Sequence, residues 1–212
     1  KKLPRIDSGI GEVNQVLGGG IVPGSISLLS GDPGIGKSTL VLQVASQIAQ
    51  HVPVLYVSGE ESANQIKIRA ERLKINSDNL DLLTETNTDV VAATLENGDY
   101  KLVIIDSIQT MAVEALTGSP GSVGQITASS QMLQAVAKRK HVAMIIIGHV
   151  TKEGNIAGPK VLEHLVDVVL YLEGDRYGAF KALRGIKNRF GSTSEVGIFE
   201  MKDNGLSPIS NP

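Results

Sequence analysis

The chain has 212 residues, 42% hydrophobic and 20% charged, with 20 Lys plus Arg against 22 Asp plus Glu for a formal net charge of -2. Such a composition excludes a disordered or fibrous chain and a partner chosen by bulk positive charge, and the length suits one domain spanning 1–212. Cys is absent, which excludes disulfides, thiolate metal sites and a cysteine nucleophile and fits a cytoplasmic location.

No run reaches the roughly 18 apolar residues needed to cross a bilayer, so no membrane partner is expected. Lys1-Lys2-Leu3-Pro4 has no apolar core behind it and no initiator Met, so it reads as a piece of a longer protein rather than a signal peptide. Aromatics are 3% with no Trp, which argues against a stacking platform for single-stranded bases.

In chain order, the apolar run 26–29 predicts a buried strand. A helix follows over 37–50, with Leu40, Val41, Val44 and Ile48 on one stripe. Strand 54–57 precedes helix 61–73, which carries Ile66, Ala70 and Leu73. A shorter helix over 89–96 leads to strand 102–105. Helix 126–140 carries Met132, Leu133 and Val136 and ends in Lys138-Arg139-Lys140, cations suited to a helix C-terminus. Runs 142–147 and 166–172 predict two more strands. From Phe180 the pattern changes to strands 179–187 and 195–201, joined through Phe190-Gly191-Ser192-Thr193. This alternation predicts an α/β fold: a mostly parallel central sheet, helices on both faces and a C-terminal antiparallel hairpin.

The strongest local signal is Gly31-Asp32-Pro33-Gly34-Ile35-Gly36-Lys37-Ser38, followed by Thr39. It matches G-x-x-x-x-G-K-[ST] between a predicted strand and a predicted helix. Glycines let successive N–H groups converge on one anion, and the helix begins beneath it with its positive dipole end. Lys37 is expected to reach the β- and γ-phosphates of a nucleoside triphosphate, and the Ser38 hydroxyl to ligate Mg²⁺. No guanine-specific Asn-Lys-x-Asp string is present.

Leu102-Val103-Ile104-Ile105-Asp106 describes a buried strand delivering a carboxylate to its C-terminal edge, where Asp106 would hold the Mg²⁺ shell. Strand 54–57 ends in Ser58-Gly59-Glu60-Glu61-Ser62. This strand is expected next to the P-loop strand, where Glu60 can orient a water in line with the γ-phosphate; Glu60 and Glu61 also read as first-turn acids of a helix, and the two roles can fall to one residue each. His149 follows its strand through Gly148 and can report the γ-phosphate to the loop after it; a lone His is more often structural.

Together these residues resemble the RecA-type ATPase core of the bacterial RadA (Sms) family of DNA repair proteins. The resemblance runs from Arg5-Ile6-Asp7-Ser8-Gly9 through Tyr56-Val57-Ser58-Gly59-Glu60-Glu61-Ser62, Asp106-Ser107-Ile108-Gln109-Thr110 and Gly148-His149-Val150-Thr151-Lys152-Glu153-Gly154 to the diagnostic Lys187-Asn188-Arg189-Phe190-Gly191. It implies a RecA-like P-loop NTPase that hydrolyses ATP between subunits of a DnaB-type homo-hexamer and moves on single-stranded or branched DNA beside a recombinase such as RecA. Lys187 and Arg189, alternating along a predicted strand, become trans-acting fingers; without the resemblance they are two cations on a solvated edge. DNA would meet segments 116–126 and 151–162, the latter through Lys152 and Lys160. Members of the family are expected to carry an N-terminal zinc module and a C-terminal Lon-like domain besides this core. Two other readings are a KaiC-like ring gated by nucleotide without DNA and a small-molecule kinase, the second disfavoured by the lack of an arginine-rich lid.

Overall fold

Unbroken apolar runs become the middle of a wide sheet. The computed structural model describes residues 3–151, 157–174 and 178–209. In chain order it contains α1 Gly11–Leu17, β1 Ile26–Gly31, α2 Lys37–Ile48, β2 Val54–Ser58, α3 Ala63–Arg72, β3 Leu80–Thr84, α4 Thr88–Asn97, β4 Leu102–Asp106, α5 Val123–Lys140, β5 Ala143–His149, β6 Val168–Gly174, β7 Phe180–Asn188, β8 Val196–Lys202 and β9 Gly205–Pro208. Short 3₁₀ turns cover Ile108–Thr110 and Pro159–Leu162. Among the described residues the strands form one nine-stranded sheet in the order β3-β2-β4-β5-β1-β6-β7-β8-β9. Neighbours are parallel from β3 to β6 and antiparallel from β6 to β9.

Strands β1, β2 and β4 are buried on both faces along their whole length, which is why they read as continuous hydrophobic runs rather than alternating ones. Leu29, Tyr56, Ile104 and Ile145 join the core with α1, α2 and Ile66 of α3. Leu28, Leu55, Val103 and Ile146 join the opposite core with α4 and α5. Single-residue alternation thus feeds two hydrophobic layers, one per face.

Most helix starts are set by local chemistry. Ser62 and Gln65 form a capping box at α3, Asn87 accepts from the N–H groups of Asp89 and Val90 at α4, and Ser122 accepts from that of Gln125 at α5. Such caps are worth about 1 kcal/mol each. Helix α2 differs: Gly36 begins it at φ 118 with no side-chain cap, leaving its first N–H groups for an external anion. A Cβ at Gly36 would lie 2.9 Å from Met201 Cε, so the sheet packs this turn closely as well as curling it.

The mostly parallel sheet with helices on both faces is as expected. The antiparallel end is longer than a hairpin, because β9 pairs with β8, and α1 and β3 are further elements that the hydrophobic pattern did not reveal. Strand β2 is also not beside the P-loop strand: β4 and β5 lie between β2 and β1. The sequence-based placement of Glu60 on an adjacent strand is therefore corrected.

Register fixes the consequence for the site. Gly31 pairs with His149, Asp106 with Ile147 and Ser58 with Asp106, so four strands end together at the C-terminal edge. At the other edge Val168 lies opposite Asn188.

Candidate nucleotide site

Four parallel strand ends and the start of α2 enclose a cleft of about 650 Å³, lined by residues that include Gly36, Lys37, Ser38, Thr39, Glu60 and His149. Pro33 and Gly34 form its lip, with Glu61, Arg69 and Met201 farther around the wall. Ile35, expected in the cradle, turns its side chain into the core at 3% exposure, so only its backbone is available to a ligand. A Cβ at Gly31 would lie 2.5 Å from the Leu172 carbonyl oxygen, at a φ of 154 that favours glycine.

Lys37 is 2% exposed. Its ammonium donates to the carbonyls of Gly31 and, at 2.9 Å, Asp32. The cation thus folds back over the loop, on the oxygens it must leave to meet a phosphate. Burial pulls its pKa down to about 8, against the opposing pull of Asp106, Asp32 and Glu60. A triphosphate raises it again by charge attraction. Nucleotide binding near pH 8 is therefore expected to take up about half a proton, and affinity to fall as pH rises from 7 to 9. Calorimetry in buffers of different ionisation enthalpy reads this directly, and proton release at pH 8 would contradict it.

Asp106 is 1% exposed. Its Oδ2 accepts from the Tyr56 hydroxyl at 2.6 Å, while Oδ1 is buried with no hydrogen-bond partner. Burial first, and then Asp106, push the Tyr56 phenol well above its ordinary pKa, so it stays a donor. A buried carboxylate oxygen without a donor suits a cation or its water shell. Ser38 lines the cleft at the start of α2, so the pair fits Mg²⁺.

Glu60 and His149 are 89 positions apart in the chain, and their side chains meet. Nε2 of His149 lies 3.1 Å from Glu60 Oε1 and 3.2 Å from Oε2. Ser107 Oγ donates to Glu60 Oε1 at 2.8 Å. The His149 hydrogen bond does most to hold the Glu60 carboxyl below the usual carboxylate range, aided by Ser107 and Lys37 and opposed by burial. Ligand atoms of Glu60, Asp106 and His149 all lie within 4.8 Å of one another. Glu61 turns away to pair with Arg69 at 2.6 Å. An ionised carboxylate in this position can orient and deprotonate a water.

The other expected residues lie elsewhere. Lys187 donates to the carbonyls of Glu163 at 3.0 Å and Val166 at 2.7 Å. Arg189 lies just past the end of β7 rather than within a strand, and pairs with Asp167 at 3.1 Å. Asp167 also accepts from the Ile26 N–H at 2.9 Å, so both cations sit where β1 begins, roughly 17 Å of strand from its P-loop end. Lys160 is exposed on the turn Pro159–Leu162, whereas Lys152 lies outside the described residues. Segment 116–126 is tied down by Gln125, whose side-chain amide donates to the carbonyls of Leu116 and Gly118 and accepts from the Val113 N–H.

Sequence reasoning missed Tyr56, Ser107, Gln109 and Asp167. Gln109 brackets the backbone of His149, donating to its carbonyl at 2.9 Å and accepting from its N–H at 3.3 Å. Tyr56 and Asp167 were legible only as polar groups inside apolar runs, and Ser107 and Gln109 as the residues just after Asp106.

Fold and site together define a RecA-like P-loop nucleotide-binding core. The chain belongs to the family described as AAA domain, whose model matches residues 3–155. It is 54% identical over 210 residues to the DNA repair protein RadA of Halalkalibacterium halodurans and 51% identical to that of Bacillus subtilis, covering 99% of this chain and 46% of each relative. It is 49% identical to the RadA of Pseudomonas aeruginosa, covering 100% of this chain and 47% of the relative. The chain thus spans about half the length of the curated relatives it matches. Among solved structures, the RadB recombinase superposes with a TM-score of 0.73 at 21% identity, covering 97% of this chain and all of that one. A KaiC-like protein from Pyrococcus horikoshii superposes with a TM-score of 0.78 at 20% identity, covering 98% and 100%. No helix among the described residues is long and apolar enough to cross a membrane.

Proposed function

We propose that this chain is the ATP-hydrolysing core of a DNA motor in recombinational repair, a cytoplasmic ring of six copies with ATP between neighbours. The observation that carries the reading is the separation of Lys187 and Arg189 from their own P-loop. A finger that cannot reach the phosphates of its own subunit suits a site completed by a second copy. The 49–54% identity to RadA proteins supports the repair setting.

In this reading the cradle 31–39 binds the phosphates through its backbone N–H groups, and Lys37 leaves the Gly31 and Asp32 carbonyls for the β- and γ-oxygens. Ser38 and Asp106 would hold Mg²⁺, which would supply charge neutralisation to the phosphates. Glu60 orients the attacking water, and Lys187 and Arg189 of a neighbour stabilise the charge that develops. His149 reports the γ-phosphate to the loop beyond it. Lys160 and Lys152 contact the phosphates of single-stranded or branched DNA, and six copies turn a weak contact into avidity. A recombinase of the RecA kind is the expected partner.

Single-stranded DNA is expected to raise ATP turnover severalfold, with a stimulation that fades steeply as salt rises. A turnover indifferent to DNA at low salt would sink the motor and favour a ring gated by nucleotide alone.

A further inference from the structure

The two finger candidates dock on one stretch of their own subunit, and that stretch leads straight out of the proposed DNA segment. Glu163 N–H donates to the Lys160 carbonyl at 3.2 Å, and Leu165 N–H to that of Leu162 at 2.9 Å. The Glu163 carbonyl then accepts from Lys187, as does that of Val166. Asp167 comes next, 7% exposed. Its Oδ2 takes the first N–H of β1 at 2.9 Å, its Oδ1 takes the Arg189 guanidinium at 3.1 Å, and its carbonyl takes the Arg189 N–H at 3.0 Å. The Arg189 side chain remains 68% exposed, with one guanidinium nitrogen on Asp167.

From this geometry we infer that Asp167 is a positioning residue for Arg189 and acts through it on hydrolysis in the neighbouring subunit. The inference rests on the ring reading above. Asp167 is anchored to the rigid start of β1, so it gives the guanidinium a fixed origin. Its own N–H also donates to the Ile26 carbonyl at 2.9 Å, so backbone and side chain both tie it to that strand. One carboxylate bridging a central strand and an exposed arginine has a meaning beyond folding, because the strand N–H alone needs only a neutral acceptor. Asparagine supplies that acceptor and removes the charge that grips Arg189.

The test mixes two inactive chains. A Lys37→Ala chain offers intact fingers, and an Arg189→Ala chain offers an intact cradle. Asp167→Asn is placed first in the Lys37→Ala chain and then, separately, in the Arg189→Ala chain. The first placement is expected to lower the rescued ATP turnover about tenfold, the scale of one charge-assisted hydrogen bond. The second is expected to leave rescue unchanged, because that chain's finger is already gone. Equal loss in both placements would make Asp167 a folding residue only, and no loss in either would remove its role; both overturn the inference. Failure of the parent pair to rescue at all overturns the ring reading and this inference with it.

Discussion

Lys187→Ala and Arg189→Ala are each expected to lower ATP turnover by about 10³–10⁵ while the same chain still binds nucleotide, since neither residue approaches its own cradle. The expectation follows from topology. Strand β7 runs antiparallel to β6, so its last residues return to the edge where β1 starts, whereas the proposed phosphate cradle lies where β1 ends. In a heterologous ring, the start edge of one sheet can face the terminal edge of the next. Mixing either variant with a Lys37→Ala chain is then expected to restore activity, to roughly a quarter of the sites in a random equimolar ring. Thermal unfolding controls for the lost caps on the Glu163 and Val166 carbonyls, which concern Lys187 more than Arg189. Absence of rescue at every mixing ratio would mean that these cations serve the fold.

How much of this was legible beforehand depends on the physics of each part. The central strands were readable because burial on both faces leaves an unbroken apolar run, and the cradle because phosphate binding fixes residue types at fixed spacing. Strand β3 was not, because Leu80–Thr84 is an edge strand with both faces partly exposed. Nor was β9, four residues ending in Pro208, nor α1, seven residues begun at Ile10 without a side-chain cap. The larger gap is lateral. Sequence order does not give sheet order, so nothing local indicated that β4 and β5 separate β1 from β2. The meeting of Glu60 with His149 and the bridge from Asp167 to Ile26, 141 positions apart, are products of that order. Tyr56 looked like one more large residue in an apolar run, yet its hydroxyl holds the buried Asp106 in place.

Glu60→Gln is expected to lower ATP turnover by about 10²–10⁴ and to leave nucleotide affinity nearly intact. Glutamine keeps the length of the side chain and an acceptor for the Ser107 hydroxyl, but it cannot take a proton from water. Two adjacent acids make the assignment testable. Glu60 is held between Ser107 and His149 within 4.8 Å of the Asp106 carboxylate, with its own pKa lowered so that it is ionised at neutral pH. Glu61 commits its charge to Arg69, in the last turn of α3. Glu61→Gln breaks that pair and leaves Glu60 in place, so it is expected to keep most of the turnover. Single-turnover hydrolysis alongside binding of a slowly hydrolysed analogue separates chemistry from affinity. A chain that hydrolyses normally with Glu60→Gln and stalls with Glu61→Gln would exchange the two roles. It would also part water orientation from His149, since the water would then be held by a carboxylate that His149 does not touch.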